Sequence, residues 1–293
     1  MMSIKQVEKI MAPAPAHYVG DGFRVHNFIP GPYGLGMHRM NPFIMMDYGA
    51  KFYVPPSDKP KGVGVHPHRG FETVTIAYKG RVAHHDSSGG GGIIGEGDVQ
   101  WMTAASGVLH KEYYEESFSK EGGDFQMVQL WVNLPAKYKM STPKYQAISN
   151  KTMNRVVLEN NGGEVEVIAG HHNGVDGVAS TFTPVTMLNA KFNVGGKSVF
   201  SIPAHYNTCL VVVEGQIKVN DSQPVPVDHF VLMSNHGETF EIEALENSIV
   251  LVLGGEPIPE PIAAHGPFVM NTRDELIQAF EDFEAGKFGE LED

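Results

Sequence analysis

The chain has 293 residues, enough for two domains at roughly 150 residues apiece, each able to bury a core of its own. Its formal net charge of -12 disfavours direct binding to nucleic acid, because an acidic surface repels phosphate and releases no counterions. One cysteine excludes an intramolecular disulfide framework, no run nears the ~18 apolar residues of a membrane span, and the first residues lack the apolar stretch of a secretion signal, so the cytoplasm is the expected location.

Glycine is unusually frequent, with 33 residues, and it punctuates short runs rich in Val, Ile and aromatics. In chain order the first chemical signal is His66-Pro67-His68, followed by Arg69, Glu72 and a strand over Thr73–Tyr78. His84, His85 and Asp86 come next; they have the chemistry to bind metal, but read as exposed turn residues ahead of Ser87-Ser88-Gly89-Gly90-Gly91-Gly92. That glycine run has no following G-K-[S/T] and reads as a hairpin loop rather than a phosphate cradle. Trp101 and Met102 read as core, with Trp101 near the chemistry, and His110-Lys111-Glu112 supplies a second spaced pair. A strand over Met127–Val132 precedes a polar stretch around Pro135–Ser149, where a linker is expected. The boundary falls there, giving domains 1–137 and 138–293.

The second half continues with strands over Val165–Ala169, Leu210–Val213 and Ile249–Leu253. Cys209 lies in an apolar run without an activating base and reads as a buried structural thiol. His171 and His172 are adjacent, would face opposite ways on a strand, and make a poor pair for one ion. One helix is clear. Thr272-Arg273-Asp274-Glu275 has capping-box form, Leu276, Ile277, Phe280 and Phe283 recur at helical spacing, and Gly286 ends it. The fold class is therefore all-β, two β-barrels of jelly-roll type with a short C-terminal α-helix, rather than a βαβ architecture.

The chemistry rests on two pairs. Alternation along a strand puts His66 and His68 on one face, and His110 and Glu112 on one face, so each pair can share an ion. Chance alone yields a His-x-His in this composition about as often as not, so the argument needs both pairs. His110 lies 44 residues after His66, an interval that lets an antiparallel barrel return the chain beside its first strand. Three imidazoles and a carboxylate form an N/O set suited to iron, manganese, nickel, copper or zinc rather than calcium. Glu72 has the same strand parity as Glu112, and pattern alone leaves both open as the carboxylate ligand. Arg69 either meets an anionic substrate or salt-bridges locally.

The segments H-P-H-R-G-F-E-T-V-T (His66–Thr75), G-D-V-Q-W-M-T-A (Gly97–Ala104), S-G-V-L-H-K-E (Ser106–Glu112), Q-L-W-V-N-L-P (Gln129–Pro135) and G-P-F-V-M-N-T-R-D-E-L (Gly266–Leu276) resemble those of the pirin family of the cupin superfamily. N-P-F-I-M-M-D-Y-G (Asn41–Gly49) adds a further match. The resemblance implies two cupin barrels packed together, with one divalent metal, iron(II), held in the first by His66, His68, His110 and Glu112. Glu72 would then orient a ligating imidazole. It also implies an activity like that of quercetin 2,3-dioxygenase, cleaving a flavonol or related enol with dioxygen and releasing carbon monoxide, with Glu112 accepting the substrate proton. The alternative it implies is a non-catalytic, metal-containing regulator that binds a protein partner. A third possibility, a sugar-phosphate isomerase, lacks the Lys and Arg cluster that phosphate would need.

The two halves are faintly self-similar when Gly80 is matched to Gly215 and Asp98 to Asp228. That register sets Ser201 and Pro203 against His66 and His68, and Phe240 and Ile242 against His110 and Glu112. All four ligand positions are lost in the second barrel, although His205, Asn207 and His236 remain as stray candidates.

Overall fold

A computed structural model describes residues 3–31 and 34–292. The strand runs expected from the sequence are present and longer than their apolar cores, for example Phe71–Lys79, Gly123–Asn133 and Ser248–Gly255. Among the described residues no helix is long and apolar enough to cross a membrane.

Each barrel pairs a seven-stranded sheet with a four-stranded one. In the first, the large sheet runs in the order His17–Val19, Phe23–Ile29, Phe43–Val54, Gly123–Asn133, Phe71–Lys79, Val99–Thr103 and Lys144–Ile148. It faces Gly62–His68, Val108–Tyr114, Val82–Asp86 and Gly91–Ile94. The second barrel repeats this plan, with Lys197–Ser201, Thr239–Ala244, Gln216–Val219 and Val225–Pro226 as its small sheet. The outermost strands are traded across the chain. Val7–Met11 pairs with Phe230–Met233 in the second barrel, while Lys144–Ile148 completes the first.

The two large sheets pack face to face. Val74, Ile76, Trp101, Leu130 and Met46 of one meet Cys209, Val211, Leu251 and Leu253 of the other in a single buried cluster. Because side chains alternate, the same strands send their other residues inward, and the two interiors differ sharply. In the second barrel Leu210, Val212, Phe200, Phe240 and Ile242 fill the space with hydrocarbon. In the first the inward set includes Gln100, Thr75, Gln129 and the histidines.

Matching pairs in the two small sheets correct the internal register by one residue. His66 pairs with His110 in the first barrel, and Phe200 pairs with Phe240 in the second. The counterparts of His66 and His68 are therefore Phe200 and Ile202, both buried, and not Ser201, which points to solvent, or Pro203. A one-residue slip turns every side chain of a strand to the opposite face, which a match anchored on a turn glycine does not detect.

The stretch 135–149 does more than connect. Lys139 is buried and its Nζ donates to the carbonyls of Gly70 and Val269 and to Asn133 Oδ1, at 2.7, 2.9 and 2.6 Å. After the second barrel the chain returns to the first. The hairpin Ala263–His265 and Phe268–Met270 leads into the helix Arg273–Glu284. Both arms of the Thr272–Glu275 capping box are formed, and Leu276 and Phe280 pack with Phe268 and Phe288. Gly286 follows the helix at φ +72°, a left-handed conformation that favours glycine.

Candidate metal centre

His66, His68 and His110 converge inside the first barrel. His66 and His68 come from Gly62–His68, and His110 from the adjacent antiparallel strand, directly opposite His66. Ring centroids lie 4.8 Å apart for His66 and His68, 4.2 Å for His66 and His110, and 4.6 Å for His68 and His110.

Each ring is turned the same way. His66 Nδ1 donates to the Gly64 carbonyl at 2.8 Å and His68 Nδ1 to the Pro267 carbonyl at 3.4 Å. His110 Nδ1 lies 3.4 Å from Nδ1 of His84. Gln100 Nε2 donates to that same His84 nitrogen at 2.9 Å, which makes it an acceptor and leaves His110 Nδ1 as the N–H facing it. All three rings thus commit Nδ1 outward and keep Nε2 for the interior. His110 Nε2 is buried with no hydrogen-bond partner, an arrangement that costs free energy unless a cation or a water occupies the space. Burial, then the neighbouring imidazoles, push the His68 and His110 pKa values well below the usual histidine range, so both stay neutral, the form a metal takes. The donor set fits a divalent transition metal.

Glu112 stands beside this trio rather than within it. Its carboxylate groups with His84 and His110, all three buried, while His66, His68 and His110 form the other compact donor set. Glu112 Oε2 accepts from Gln129 at 2.7 Å, and Oε1 accepts from Gln100 at 3.1 Å and Thr75 at 3.4 Å. One donor on Oε2 and two on Oε1 hold the group for a role at the cup.

Three expectations change. His84 and Asp86 are buried, not exposed turn residues; only His85 faces solvent. Val82–Asp86 is a strand, so its alternate residues His84 and Asp86 point inward, and His84 Nε2 lies 3.4 Å from Asp86 Oδ2. The same two-residue spacing that marks the other pairs was there to find. Second, Glu72 does not orient a ligating imidazole. It shares the interdomain face of its strand with Val74 and Ile76, and its Oε1 accepts from Thr103 at 2.8 Å. The bend at Arg69-Gly70, with Gly70 at φ +89°, breaks the alternation that carried its parity forward from His68. Third, Trp101 also lies on that interdomain face, away from the cup.

Arg69 takes the local reading: it pairs with Asp282 at 2.8 Å, donates to the Ser106 carbonyl at 2.7 Å and covers the Phe288 ring. Cys209 is buried in the interdomain cluster, and burial raises its thiol pKa. His205 and His236 are exposed, and Asn207 is bonded to the Asn41 carbonyl; none joins a donor group among the described residues.

Above the imidazoles is a cavity of about 320 Å³. Its walls are largely apolar, with Phe23, Val25, Val63, Met127 and Trp131, and Gly266-Pro267 from the returning C-terminal segment closes one side. Among the described residues no Lys or Arg lines it; the titratable groups are Asp47, His66, His68 and Glu112. The volume lies at the low end of the roughly 300–1,000 Å³ that houses drug-sized ligands.

Comparison with known proteins agrees with this architecture. Two family models match, pirin over residues 22–132 and the pirin C-terminal cupin domain over residues 187–289. A Pseudomonas aeruginosa protein provisionally named quercetin 2,3-dioxygenase is 45% identical over 97% of this chain and 99% of its own length. A pirin-like protein of Solanum lycopersicum is 36% identical over 97% of this chain and 92% of its own. The crystal structure of a quercetin 2,3-dioxygenase from Acinetobacter baumannii superposes with a TM-score of 0.92 at 44% identity, covering 99% of this chain and 100% of that one.

Proposed function

The chain belongs to the pirin family, and from that premise we propose that it is a metal-dependent dioxygenase of the quercetin 2,3-dioxygenase type, acting on a flavonol or related enol. One observation carries the reading. His66 and His68, with their Nδ1 atoms bonded to backbone carbonyls, line a largely apolar cavity of about 320 Å³, and buried His110 is grouped with them behind it; the cavity wall has carboxylates but no Lys or Arg among the described residues.

His66, His68 and His110 would hold one divalent metal, iron(II), with Glu112 as the fourth ligand. When bound, the ion would supply Lewis acidity to an enolic hydroxyl. The protein's own groups do the rest. The apolar walls offer contact surface to a planar ring and exclude water, which strengthens the electrostatic interactions that must offset the desolvation of an enolate. Glu112, held through both oxygens by Gln129, Gln100 and Thr75, accepts the hydroxyl proton. The absence of a basic wall favours a neutral hydroxylated ligand over a carboxylate or phosphate. In the overall change both atoms of dioxygen enter the products and one ring carbon leaves as carbon monoxide.

The test is metal analysis of the purified protein, followed by assay with quercetin in air and under nitrogen. Turnover that requires both metal and oxygen and releases carbon monoxide supports the reading. No difference between metal-replete and metal-free protein across several flavonols would shift the assignment to a metal-containing regulator with a protein partner.

A further inference from the structure

The floor of the cup carries a row of polar residues that runs across five strands in register. Asn27 is opposite Asp47, Asp47 opposite Gln129, Gln129 opposite Thr75, and Thr75 opposite Gln100. Cross-strand neighbours of one register share a face, so all five side chains point to the interior. The Gln100 half of this row has an evident task, since Gln100, Thr75 and Gln129 all bond Glu112. The other half ends in a second carboxylate whose task is unexplained by the metal site.

That carboxylate is Asp47. It is 8% exposed, it lines the cavity, and Gln129 separates it from Glu112. Oδ1 accepts from Asn27 Nδ2 at 2.8 Å, and Asn27 is itself tied to the Ile29 carbonyl. Oδ2 has no hydrogen bond among the described residues. Burial raises the Asp47 pKa, opposed by the Asn27 bond, so desolvation of this group is a standing cost. Exposed His17 also acts on this carboxylate electrostatically, but among the described residues Asp47 makes no salt bridge, and a carboxylate kept at a largely apolar wall is best satisfied by a donor arriving with the ligand. Around it are Met45, Met127, Val25 and Phe23, surfaces suited to an aromatic ring.

We propose that Asp47 is a specificity-determining residue of the cup: it accepts a hydrogen bond from a second hydroxyl of a neutral, polyhydroxylated aromatic ligand whose enolic hydroxyl faces the imidazoles. The inference rests on the oxygenase reading for the orientation of the ligand, but its test is one of binding. It implies that the ligand carries hydroxyls at two separated positions and that an aromatic with a single enolic hydroxyl gains nothing from Asp47.

Zinc-loaded protein under nitrogen, titrated with quercetin and followed by tryptophan fluorescence or calorimetry, reads this without turnover. Asp47→Asn is expected to raise the quercetin dissociation constant about tenfold, as loss of a charge-assisted bond does. Its zinc stoichiometry and melting temperature should stay near those of the wild type. 3-Hydroxyflavone, with a single hydroxyl, should bind both proteins within about twofold. In the iron form, the loss should appear in KM more than in kcat. An unchanged quercetin constant in zinc-replete Asp47→Asn overturns the proposal, and so does an equal loss with 3-hydroxyflavone. If Asp47→Asn does not fold or hold zinc, Asn27→Ala decides: it keeps the carboxylate but removes the bond that aims it, and unchanged quercetin binding overturns the proposal. Wild-type protein that binds quercetin with this pattern but never turns it over would refute the oxygenase reading alone. Turnover by the wild type with no effect of Asp47→Asn would refute this inference alone.

Discussion

Glu72 and Glu112 lie against opposite faces of the same seven-stranded sheet. Glu112 Oε2 accepts from Gln129 at 2.7 Å on the cup side, whereas Glu72 Oε1 accepts from Thr103 at 2.8 Å on the side that meets the second barrel. The separation gives the two carboxylates different chemistry. Glu112 is anchored by donors and faces the imidazoles, while Glu72 is fully buried with Oε2 unpartnered.

Metal content should follow this division. His110→Ala is expected to reduce the metal from near one per chain to near zero, and Glu112→Ala to weaken binding strongly. Glu72→Gln should leave the stoichiometry unchanged, because its face of the sheet never meets the cup. Elemental analysis of the purified variants checks this, and loss of metal in Glu72→Gln with retention in Glu112→Ala would reverse the assignment.

Glu72 should instead report in the pH dependence of stability. Burial raises its pKa from 4.5 to about 7, against the opposing bond from Thr103. A folded pKa above the unfolded one favours the protonated native state, so this contribution is fully present below about pH 4.5 and is lost as pH rises toward 7. Glu72→Gln keeps an acceptor for Thr103 and removes the titration. Relative to the wild type it should gain stability above pH 7, on the order of 3 kcal/mol at most. Denaturant melts from pH 5 to 8 would show the two proteins diverging as pH rises; parallel curves would mean that Glu72 titrates normally.

The Arg69–Asp282 pair pins the C-terminal helix to the strand bend that follows His68. Its side chains are 4% and 10% exposed, and Asp282→Ala would strand the Arg69 guanidinium in a nearly dry site. A cost of roughly 3 kcal/mol is expected, in line with breaking a buried pair by removing one partner. Replacing both members with Arg69→Met and Asp282→Leu should recover most of it. A single variant that melts like the wild type would show that the latch adds nothing to stability.

The second barrel should respond as a packed core. Phe240 is 1% exposed and stacks with Phe200 at a centroid distance of 5.4 Å. Phe240→Ala is expected to cost about 3–5 kcal/mol by loss of burial and creation of a cavity. Metal content should not change. Crystals soaked in excess metal should give an anomalous peak in the first barrel and none in the second; a peak ligated by His205 and His236 would refute this.

Turn glycines, alternating apolar runs and the Thr272–Glu275 box suffice to read two β-barrels and a terminal helix from the sequence, because each is a local signal with a period. The two-residue spacings of His66–His68 and His110–Glu112 likewise sit inside strands and place each pair on one face, but spacing leaves Glu72 and Glu112 both open, and the preference for Glu112 comes from the family resemblance. What alternation cannot carry is a face across a bend. Arg69-Gly70 breaks the strand between His68 and Glu72, so Glu72 keeps the expected parity by count and lies on the opposite face in space. His84 escaped for a related reason: its neighbour His85 and the glycine run that follows look like a turn, and only pairing of Val82–Asp86 with the Glu112 strand turns His84 inward. The Asn27–Asp47–Gln129–Thr75–Gln100 row draws its members from five strands spread over 103 residues, with no spacing rule linking them. Register between strands is set by packing of the whole sheet, and so only the tertiary structure decides which polar side chains share the cup.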